Sequence, residues 1–524
     1  MNRSLVTSMG VVLAVGLAGC GGGTLGQAGP GSGSPGSGSA AAQRGQLINS
    51  SQVATYTPAQ LLTLLGVDAI GQLLLTLNYS PGCSVSVYHI EYGTVGGQSE
   101  ATTASAAVMV PAGSGSSCQG ARPIVEYAHG TSPDKTYNIA ELSGNGGSSE
   151  GLLLAAVFAS QGYTVVAPNY AGYDTSTLTY HPYLVAEQQS DDMIDALAAA
   201  RSALSSFNAG VTDSGKLYVT GYSQGGHVAM ATVRAMQAAG EAVAASAPMS
   251  GPYALAALGD AIFMGQPNGS ATLNMAMLAN SYQNSYGNLY VQASDMFASP
   301  YDSSLPGLLP SATAISQIYS QNLLPKNALF SSTPPASGAQ YAAMTPATTP
   351  ANLAVVFAQG FAASGYLVSN SYRLSYLQDE QASPDGGFPT ITTGVTAASP
   401  ANGLRQDTAK NDLRDWGPTS PMLLCGGDRD PVVYFFDTTL MQNYWTAHPP
   451  AAAVTVLDVD SAPTANDPYA DEKNGFAAAA TVVEAAAVAG GATDGGAVAL
   501  LEDYHTPLVP AFCLWAAKTF FDGH

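Results

Sequence analysis

Residues 216–233 constrain the fold of this chain more than any other stretch. They pass from a short β-branched and aromatic run, through Gly221-x-Ser223-x-Gly225, into an apolar segment with helical periodicity. This pattern predicts a strand, a sharp turn and a helix, and such a turn lifts a serine hydroxyl above the end of a sheet. Small residues two positions before and after the serine let the strand and the helix approach closely. Ser223 is therefore the predicted nucleophile.

A second match to the same spacing occurs at Gly147-Ser148-Ser149-Glu150-Gly151. It follows a polar loop, so no predicted strand leads into it. Three fixed letters are also a weak signal in a chain with 57 glycines. We interpret this second match as chance.

The first half of the chain alternates between strands and helices. A helix is predicted over 57–77, with Pro58 at its start, and two antiparallel strands over 85–92 and 101–110. From residue 124 onward, short buried-type strands alternate with helical segments. Such alternation predicts a mostly parallel central sheet with helices on both faces, an α/β fold.

The alternation stops for about 160 residues and then resumes. Residues 251–413 are rich in Tyr, Ala, Asn and Ser and contain no clear buried strand, whereas strands are again predicted at 421–425 and 454–459. A chain of 524 residues is long enough for one large domain with an insertion. We therefore predict a core in two parts, 46–250 and 414–524, with 251–413 as an inserted, mainly helical cap or lid.

The N-terminus has the pattern of an export signal. Arg3 precedes a short apolar run and then Leu17-Ala18-Gly19-Cys20, which predicts a signal peptide over 1–19. These last four residues resemble the lipobox of bacterial lipoproteins, which implies lipidation of Cys20 and anchoring at the bacterial cell envelope, with Gly21 resembling the outer-membrane sorting pattern. The alternative is an ordinary cleaved signal and a secreted protein. Residues 20–45 are predicted to be a flexible Gly/Ser/Pro linker.

The charge balance limits the partners. Asp and Glu number 36 against 15 Lys and Arg, and no basic stretch stands out. Binding to nucleic acid requires clustered Lys and Arg, so the composition argues against a nucleic-acid partner. It carries no information about the oligomeric state.

A serine nucleophile requires a base and an orienting carboxylate downstream of Ser223. Three histidines remain after the turn and its helix, and we choose His505 because it lies in the loop after the last predicted strand; His448 precedes that strand and His524 is the last residue. For the acid we choose Asp430 in the loop after the resumed strand, with Asp428 as the alternative.

A tetrahedral intermediate needs two backbone N–H donors. Gln224 supplies one, because it follows the nucleophile at the start of a helix. The loop His129-Gly130-Thr131 supplies the other. We assign the donor to Thr131, with Gly130 as the alternative, and expect His129 to brace the loop. His227 is expected to be a packing residue beside the sheet.

Four cysteines remain once Cys20 is set aside for lipid, and an even number is typical of disulfides in an oxidising compartment. Of three pairings we favour Cys83–Cys118, which flank the predicted hairpin, and Cys425–Cys513, which lie near the predicted acid and base. No C-x-x-C pair occurs, so a zinc site has no support, and no metal is predicted.

Taken in order, the Ser223 turn, the His129-Gly130-Thr131 loop, the Asp430 loop and His505 resemble the secretory lipase and esterase branch of the α/β-hydrolase superfamily. The resemblance runs from about residue 55 to the C-terminus and implies a carboxylic ester hydrolase that needs no cofactor, acting on an ester or lipid substrate. The long segment before His505 departs from smaller esterases. The alternatives are a serine peptidase of the same superfamily and a non-catalytic cell-surface binding lipoprotein.

Overall fold

The computed structural model describes residues 42–143, 148–207, 209–342, 344–385 and 395–524. The predicted signal peptide, Cys20 and most of the predicted linker lie outside the described residues. Arg44, near the end of that linker, forms ion pairs with Asp191 (2.8 Å) and Asp195 (3.0 Å). The chain therefore lies against the folded core before the first strand begins.

A mixed sheet of nine strands forms the centre of the described structure, in the order β1-β2-β3-β5-β4-β6-β7-β10-β11. The pairs β1/β2, β2/β3 and β3/β5 are antiparallel, and the other five pairs are parallel. The predicted α/β fold is thus confirmed. The strands, with two short ones outside this sheet, are β1 Leu47–Tyr56, β2 Ser84–Val95, β3 Ala101–Ala112, β4 Gly120–Ala128, β5 Thr164–Pro168, β6 Val211–Tyr222, β7 Ala245–Met249, β8 Phe330–Ser331, β9 Phe361–Ala362, β10 Met422–Gly426 and β11 Val454–Asp458.

Helices cover both faces of the sheet. On one face of the sheet, α4 and α5 pack with apolar side chains of residues 253–413. On the other face, α1 to α3 pack with α15 to α17. The helices are α1 Pro58–Leu65, α2 Ala69–Leu75, α3 Ser149–Val157, α4 Ala186–Leu204, α5 Gln224–Ala239, α6 Leu255–Met264, α7 Ala271–Ser285, α8 Ala293–Met296, α9 Ile315–Ser320, α10 Ala339–Ala342, α11 Ala354–Gln359, α12 Asn370–Ala382, α13 Gly403–Lys410, α14 Phe436–Ala447, α15 Ala470–Ala489, α16 Ala497–Asp503 and α17 Val509–Asp522.

Strand β1 was not predicted from the sequence. It pairs only with β2, at the edge of the sheet, and most of its side chains are partly or fully exposed. Ile48 and Val53 are nearly half exposed. An edge strand with little buried surface does not need the apolar alternation by which strands are recognised.

The helix predicted over 57–77 is two helices instead. The first ends at Gly66, and Asp68 starts the second by accepting a hydrogen bond from the N–H of Gly71 at 2.7 Å. The two helices are bent by 116°. Among the described residues no single helix is long and apolar enough to cross a bilayer, although this bent pair passes that test on length and composition together.

Residues 251–413, the predicted cap, contain helices α6 to α13 and the two-residue strands β8 and β9, which the sequence did not predict. The apolar side chains of this segment, such as Met275, Tyr282 and Phe330, belong to the same core cluster as those of α4 and α5. The boundaries of the cap stay a prediction.

Two disulfides have the predicted pairing. Cys83 is joined to Cys118, which ties the start of β2 to the loop before β4. Cys425 is joined to Cys513, which ties β10 to α17. Disulfides of this kind are typical of oxidising compartments and are compatible with an extracellular or cell-envelope location.

Candidate active site

The turn between β6 and α5 has the geometry that the sequence predicts. Ser223 has φ 59° and ψ −122°, a backbone conformation that is uncommon for a residue with a side chain. The neighbouring glycines explain how the turn fits. A Cβ atom on Gly225 would collide with the carbonyl oxygen of Ala128, and one on Gly221 with the carbonyl oxygen of Gly225. Only glycine allows strand and helix to meet this closely.

Ser223, His505 and Asp430 form one chain of hydrogen bonds. The distance from Ser223 Oγ to His505 Nε2 is 2.8 Å, and that from His505 Nδ1 to Asp430 Oδ2 is 2.7 Å. Because an ionised carboxylate only accepts, Nδ1 carries the proton and Nε2 is free to take one from the serine. Asp430 is 1% exposed. Its other oxygen accepts the N–H groups of Val432 (2.9 Å) and Val433 (3.1 Å).

The alternative acid, Asp428, lies elsewhere in the same loop. Its side chain is exposed, and its N–H donates to Asp458 Oδ1 at 3.1 Å. The geometry therefore brings Asp430, and not Asp428, to His505.

The two predicted oxyanion donors lie at the mouth of the turn. Gln224 is the first residue of α5, and Thr131 lines the same cavity as Ser223. The N–H of Gly130 donates to Glu150 Oε1 at 3.0 Å and is therefore occupied. Thr131 stays the predicted donor of this loop.

Two buried histidines have the structural positions that the sequence suggests. The ring nitrogens of His129 lie 2.6 Å from the carbonyl oxygen of Gly130 and 3.1 Å from that of Asn169. A neutral ring donates from one nitrogen only, and the shorter contact assigns that hydrogen bond to Gly130, so the ring braces the loop. His227 Nε2 donates to the carbonyl oxygen of Asn411 at 2.8 Å. Burial lowers the pKa of His129, and it lowers the pKa of His227 to about 4.

A third buried histidine, His181, was not singled out in the sequence. Its Nδ1 donates to the carbonyl oxygen of Ala171 (3.0 Å), so its Nε2 must accept from the side-chain amide of Gln224 at 2.8 Å. Burial lowers the pKa of His181 to about 3, which keeps the ring neutral. No local pattern marks this contact, because the two residues lie 43 positions apart.

The loops that carry the acid and the base are tied together by Asp460, also missed in the sequence. Its carboxylate accepts two hydrogen bonds from the guanidinium of Arg429 (2.6 and 2.8 Å) and one from the hydroxyl of Tyr504 (2.6 Å). Arg429 directly precedes Asp430, and Tyr504 directly precedes His505. One carboxylate after the last strand thus binds the neighbours of both.

A cavity of about 500 Å³ opens above Ser223. It is bounded by Ser223, His505 and Thr131 on the core side and by helices α6 and α7 on the other. Among the residues that line it, tyrosines aside, His505 and Glu150 alone have side chains that ionise. Most of the other wall is aliphatic and comes from Leu255, Leu258, Ile262, Met275, Leu278 and Leu329. Within the ranges that the structure describes, no cluster of three His, Cys, Asp or Glu could hold a metal ion.

Comparison with known proteins agrees with this architecture. Residues 153–292, which include the Ser223 turn, match the prolyl oligopeptidase family of peptidases. The rice cell wall degrading esterase LipA from Xanthomonas oryzae has a similar structure, with a TM-score of 0.61 and 26% sequence identity over 79% of this chain and 91% of that one. A putative hydrolase from Legionella pneumophila has a TM-score of 0.59, with 19% identity over 79% of this chain and 91% of that one, and supports the fold alone. No curated protein sequence matches the chain.

The matched peptidase family and the similar esterase differ in the bond that they cleave, but both belong to one superfamily of hydrolases. The mixed sheet and the strand–turn–helix at Ser223 are the features of that superfamily. The chain is therefore a serine hydrolase of the α/β-hydrolase superfamily.

Proposed function

We propose that this protein hydrolyses carboxylic esters through an acyl-enzyme on Ser223, with His505 as the base and Asp430 as the orienting acid. The observation that carries the proposal is the hydrogen-bond chain from Ser223 Oγ through His505 to Asp430, with distances of 2.8 and 2.7 Å, at the floor of a largely apolar cavity. This is the arrangement that a serine nucleophile requires.

The reaction proceeds in two halves. His505 Nε2 takes the proton of Ser223 as the serine oxygen attacks the acyl carbon, and the proton then passes to the departing alcohol. In the second half His505 takes a proton from water as the water oxygen attacks the acyl carbon, the bond from that carbon to Ser223 Oγ breaks, and the proton passes from His505 to Oγ while the acid product leaves. Asp430 holds the imidazole in the required tautomer and stabilises its charged form.

The negative charge of the tetrahedral intermediate develops on the former carbonyl oxygen. The N–H groups of Gln224 and Thr131 are the proposed donors to it. Gln224 also starts helix α5, whose dipole favours negative charge at that end. Loss of one such donor typically lowers kcat by about 10² to 10³.

The wall of the cavity supports an uncharged, apolar acyl group. Most of the side chains that α6 and α7 contribute to the lining are apolar, with Asn274 as a polar exception, and neither Lys nor Arg is among the lining residues. An acyl group with its own negative charge would have no cationic partner there. The similar Xanthomonas protein, described as an esterase, is consistent with this choice.

Peptide-bond hydrolysis by the same residues is the second candidate. The match of residues 153–292 to the prolyl oligopeptidase family favours it. Against it, the similar Xanthomonas structure, of which 91% is covered, is described as an esterase.

A chain-length series of p-nitrophenyl esters and one aminoacyl-anilide would test the proposal on wild type and Ser223→Ala. We expect ester turnover that Ser223→Ala abolishes. Turnover of the anilide without turnover of any ester would overturn the ester assignment, and full ester turnover by Ser223→Ala would overturn the site.

Covalent labelling with a fluorophosphonate adds a matched control. The second Gly-x-Ser-x-Gly match centres on Ser149, whose hydroxyl donates to Asp68 at 2.6 Å. We expect Ser149→Ala to be labelled and Ser223→Ala not to be. Loss of labelling in a folded Ser149→Ala protein would assign the nucleophile to the other match.

The lipid anchor is a separate part of the proposal and rests on the sequence around Cys20. Lipidated Cys20 would hold the enzyme at the bacterial cell envelope through the linker over 20–45. Mass spectrometry of the mature N-terminus tests this, because a lipidated protein carries diacylglycerol on Cys20. An unmodified mature N-terminus elsewhere in the chain would instead indicate secretion.

A further inference from the structure

The carboxylate of Glu150 contacts the loop that carries the proposed oxyanion donor. Its Oε1 accepts a hydrogen bond from the N–H of Gly130 at 3.0 Å and another from the hydroxyl of Tyr127 at 2.8 Å. Its Oε2 accepts from the hydroxyl of Tyr137 at 3.2 Å. The carboxylate is thus held by three donors, and one of them belongs to the loop.

The backbone of Glu150 is itself well anchored. It lies in the first turn of α3, whose N-cap Ser148 accepts a hydrogen bond from the N–H of Gly151 at 3.0 Å. The hydroxyl of Ser149 donates to Asp68 at 2.6 Å. The carboxylate therefore extends from a fixed helix end and not from a loop that could follow Gly130.

Gly130 lies between Glu150 and the nucleophile. The position that a Cβ atom on Gly130 would occupy is 3.5 Å from Glu150 Oε1 and 3.7 Å from Ser223 Cβ. A rotation of either peptide group of Gly130 would therefore move backbone atoms that lie close to Ser223.

Both sides of Gly130 are held. Its N–H is bound by Glu150, and its carbonyl oxygen contacts His129 Nδ1 at 2.6 Å. Since a trans peptide is planar, with C=O and N–H pointing in opposite directions, holding the Gly130 carbonyl also sets the direction of the Thr131 N–H. Glycine has the widest choice of backbone conformations, so this residue needs such anchors more than any other type.

The contact is geometric and does not supply favourable charge. A negative carboxylate close to a developing oxyanion opposes it, and here the three donors to Glu150 offset that charge. A neutral side chain of the same shape, with an oxygen that accepts from the N–H of Gly130, should therefore hold the loop equally well. Comparison of the charged with the neutral side chain thus distinguishes a positioning role from an electrostatic one.

We propose that Glu150 is a positioning residue of the oxyanion site. By engaging the N–H of Gly130 it fixes the His129–Gly130 peptide group and leaves the N–H of Thr131 as the donor of this loop. The next peptide group, which carries the N–H of Thr131, is then held between this anchor and the contact of the Gly130 carbonyl with His129. The inference rests on the proposed ester hydrolysis through Ser223.

The test compares Glu150→Ala and Glu150→Gln with wild type. We expect kcat for a p-nitrophenyl ester to fall about 10- to 100-fold in Glu150→Ala, with KM within about threefold, because the donor is misdirected and not removed. Glu150→Gln keeps an acceptor for Gly130 and should stay within about threefold of wild type. Glu472→Ala is the matched control: it removes another buried carboxylate, which bonds Thr519 at 3.4 Å, and should leave kcat unchanged.

Inhibition by a trifluoromethyl ketone distinguishes a role at the oxyanion site from a merely structural one. The inhibitor forms a tetrahedral oxyanion on the serine, so its affinity depends on the oxyanion donors. Its inhibition constant should rise in Glu150→Ala by the same factor as kcat falls. Three results would overturn the proposal: Glu150→Ala within threefold of wild type, a fall in kcat with unchanged inhibition, or Glu150→Gln as impaired as Glu150→Ala.

If Glu150→Ala does not fold, Glu150→Asp carries the same test. It keeps the charge, but its shorter side chain cannot reach the N–H of Gly130, so it should show the same loss. Failure of the proposed function would be a different observation, namely ester turnover retained by Ser223→Ala, and it would overturn both proposals.

Discussion

The hydroxyl of Tyr222 donates a hydrogen bond to the main-chain carbonyl oxygen of His505 at 2.6 Å. Tyr222 directly precedes the proposed nucleophile, so the strand that carries Ser223 also holds the backbone of the proposed base. The side chain is 3% exposed, and burial raises the pKa of its hydroxyl well above the ordinary value. The hydroxyl therefore keeps its proton, and remains a donor, at neutral pH.

Tyr222→Phe removes this bond and leaves a carbonyl oxygen of the base loop unsatisfied. We expect kcat to fall about tenfold, because His505 loses part of its support, and the free energy of unfolding to fall by about 1–3 kcal/mol. Steady-state kinetics and urea unfolding measure the two effects. Tyr163→Phe is the control, since its hydroxyl donates to Asp522 at 2.6 Å, away from the cavity. Equal losses of kcat in both variants would contradict a specific role for Tyr222.

Asp460→Ala should separate the acid loop from the base loop. The variant removes the acceptor shared by Arg429 and Tyr504 but keeps the hydrogen bond from the N–H of Arg429 to the hydroxyl of Tyr504 (3.1 Å). We expect kcat to fall about tenfold with KM unchanged, because the spacing of Asp430 and His505 is held less firmly. Initial-rate kinetics on one ester measure both constants.

Asp467→Ala provides the comparison for Asp460→Ala. Asp467 forms an ion pair with Lys473 at 2.7 Å and is similarly buried, but it does not bind either loop. Its loss should lower stability without changing kcat. A fall in kcat of the same size in both variants would mean that general loosening, and not the link through Asp460, explains the effect.

Asp430→Asn and Asp428→Asn distinguish the two acids that the sequence left open. Because Asp430 accepts the Nδ1 proton of His505, its replacement should lower kcat by about 10³ to 10⁴ while the fold is retained. Asp428→Asn should stay within a few-fold of wild type. Steady-state kinetics on both purified variants measure these losses. A larger loss of kcat in Asp428→Asn than in Asp430→Asn would assign the role of the acid to Asp428.

The buried carboxyl group of Asp407 should make the stability of the protein depend on pH. Its side chain is 4% exposed, one oxygen accepts from Asn288 at 3.1 Å, and burial raises its pKa to about 7. The folded state thus binds the proton more tightly than the unfolded chain, whose pKa is about 3.9. The contribution to stability is complete below about pH 4 and is lost as the pH rises toward 7.

Asp407→Asn cannot ionise and lacks this dependence. Between pH 4 and pH 8 we expect the variant to gain about 1–4 kcal/mol of unfolding free energy relative to wild type. Chemical denaturation of both proteins at each pH measures the difference. A difference that stays constant across the range would show that Asp407 does not carry the effect.

Much of the site follows from local patterns in the chain. The turn at Ser223 is visible because glycines at fixed positions and a change of periodicity from strand to helix are local requirements. The order of strands then placed His505 and Asp430 at the same edge of the sheet, where the structure brings them together. The disulfides followed from the even number of cysteines and their positions beside these elements.

Other features depended on contacts between distant parts of the chain. The match at 147–151 is interpreted as chance from its sequence, yet its Glu150 binds Gly130, twenty residues earlier. Asp460 binds residues on two other loops, and His181 binds Gln224. Strand β1 carries no clear alternation because it lies exposed at the sheet edge.

The sequence by itself therefore determined the turn, the alternation of strands and helices, and the chemical types available for catalysis, because periodic burial and glycine requirements are recorded locally. Only the tertiary structure decided which side chains hold the reacting groups in place. Those contacts depend on the order of strands in the sheet and on the directions of loops that share no pattern in the sequence.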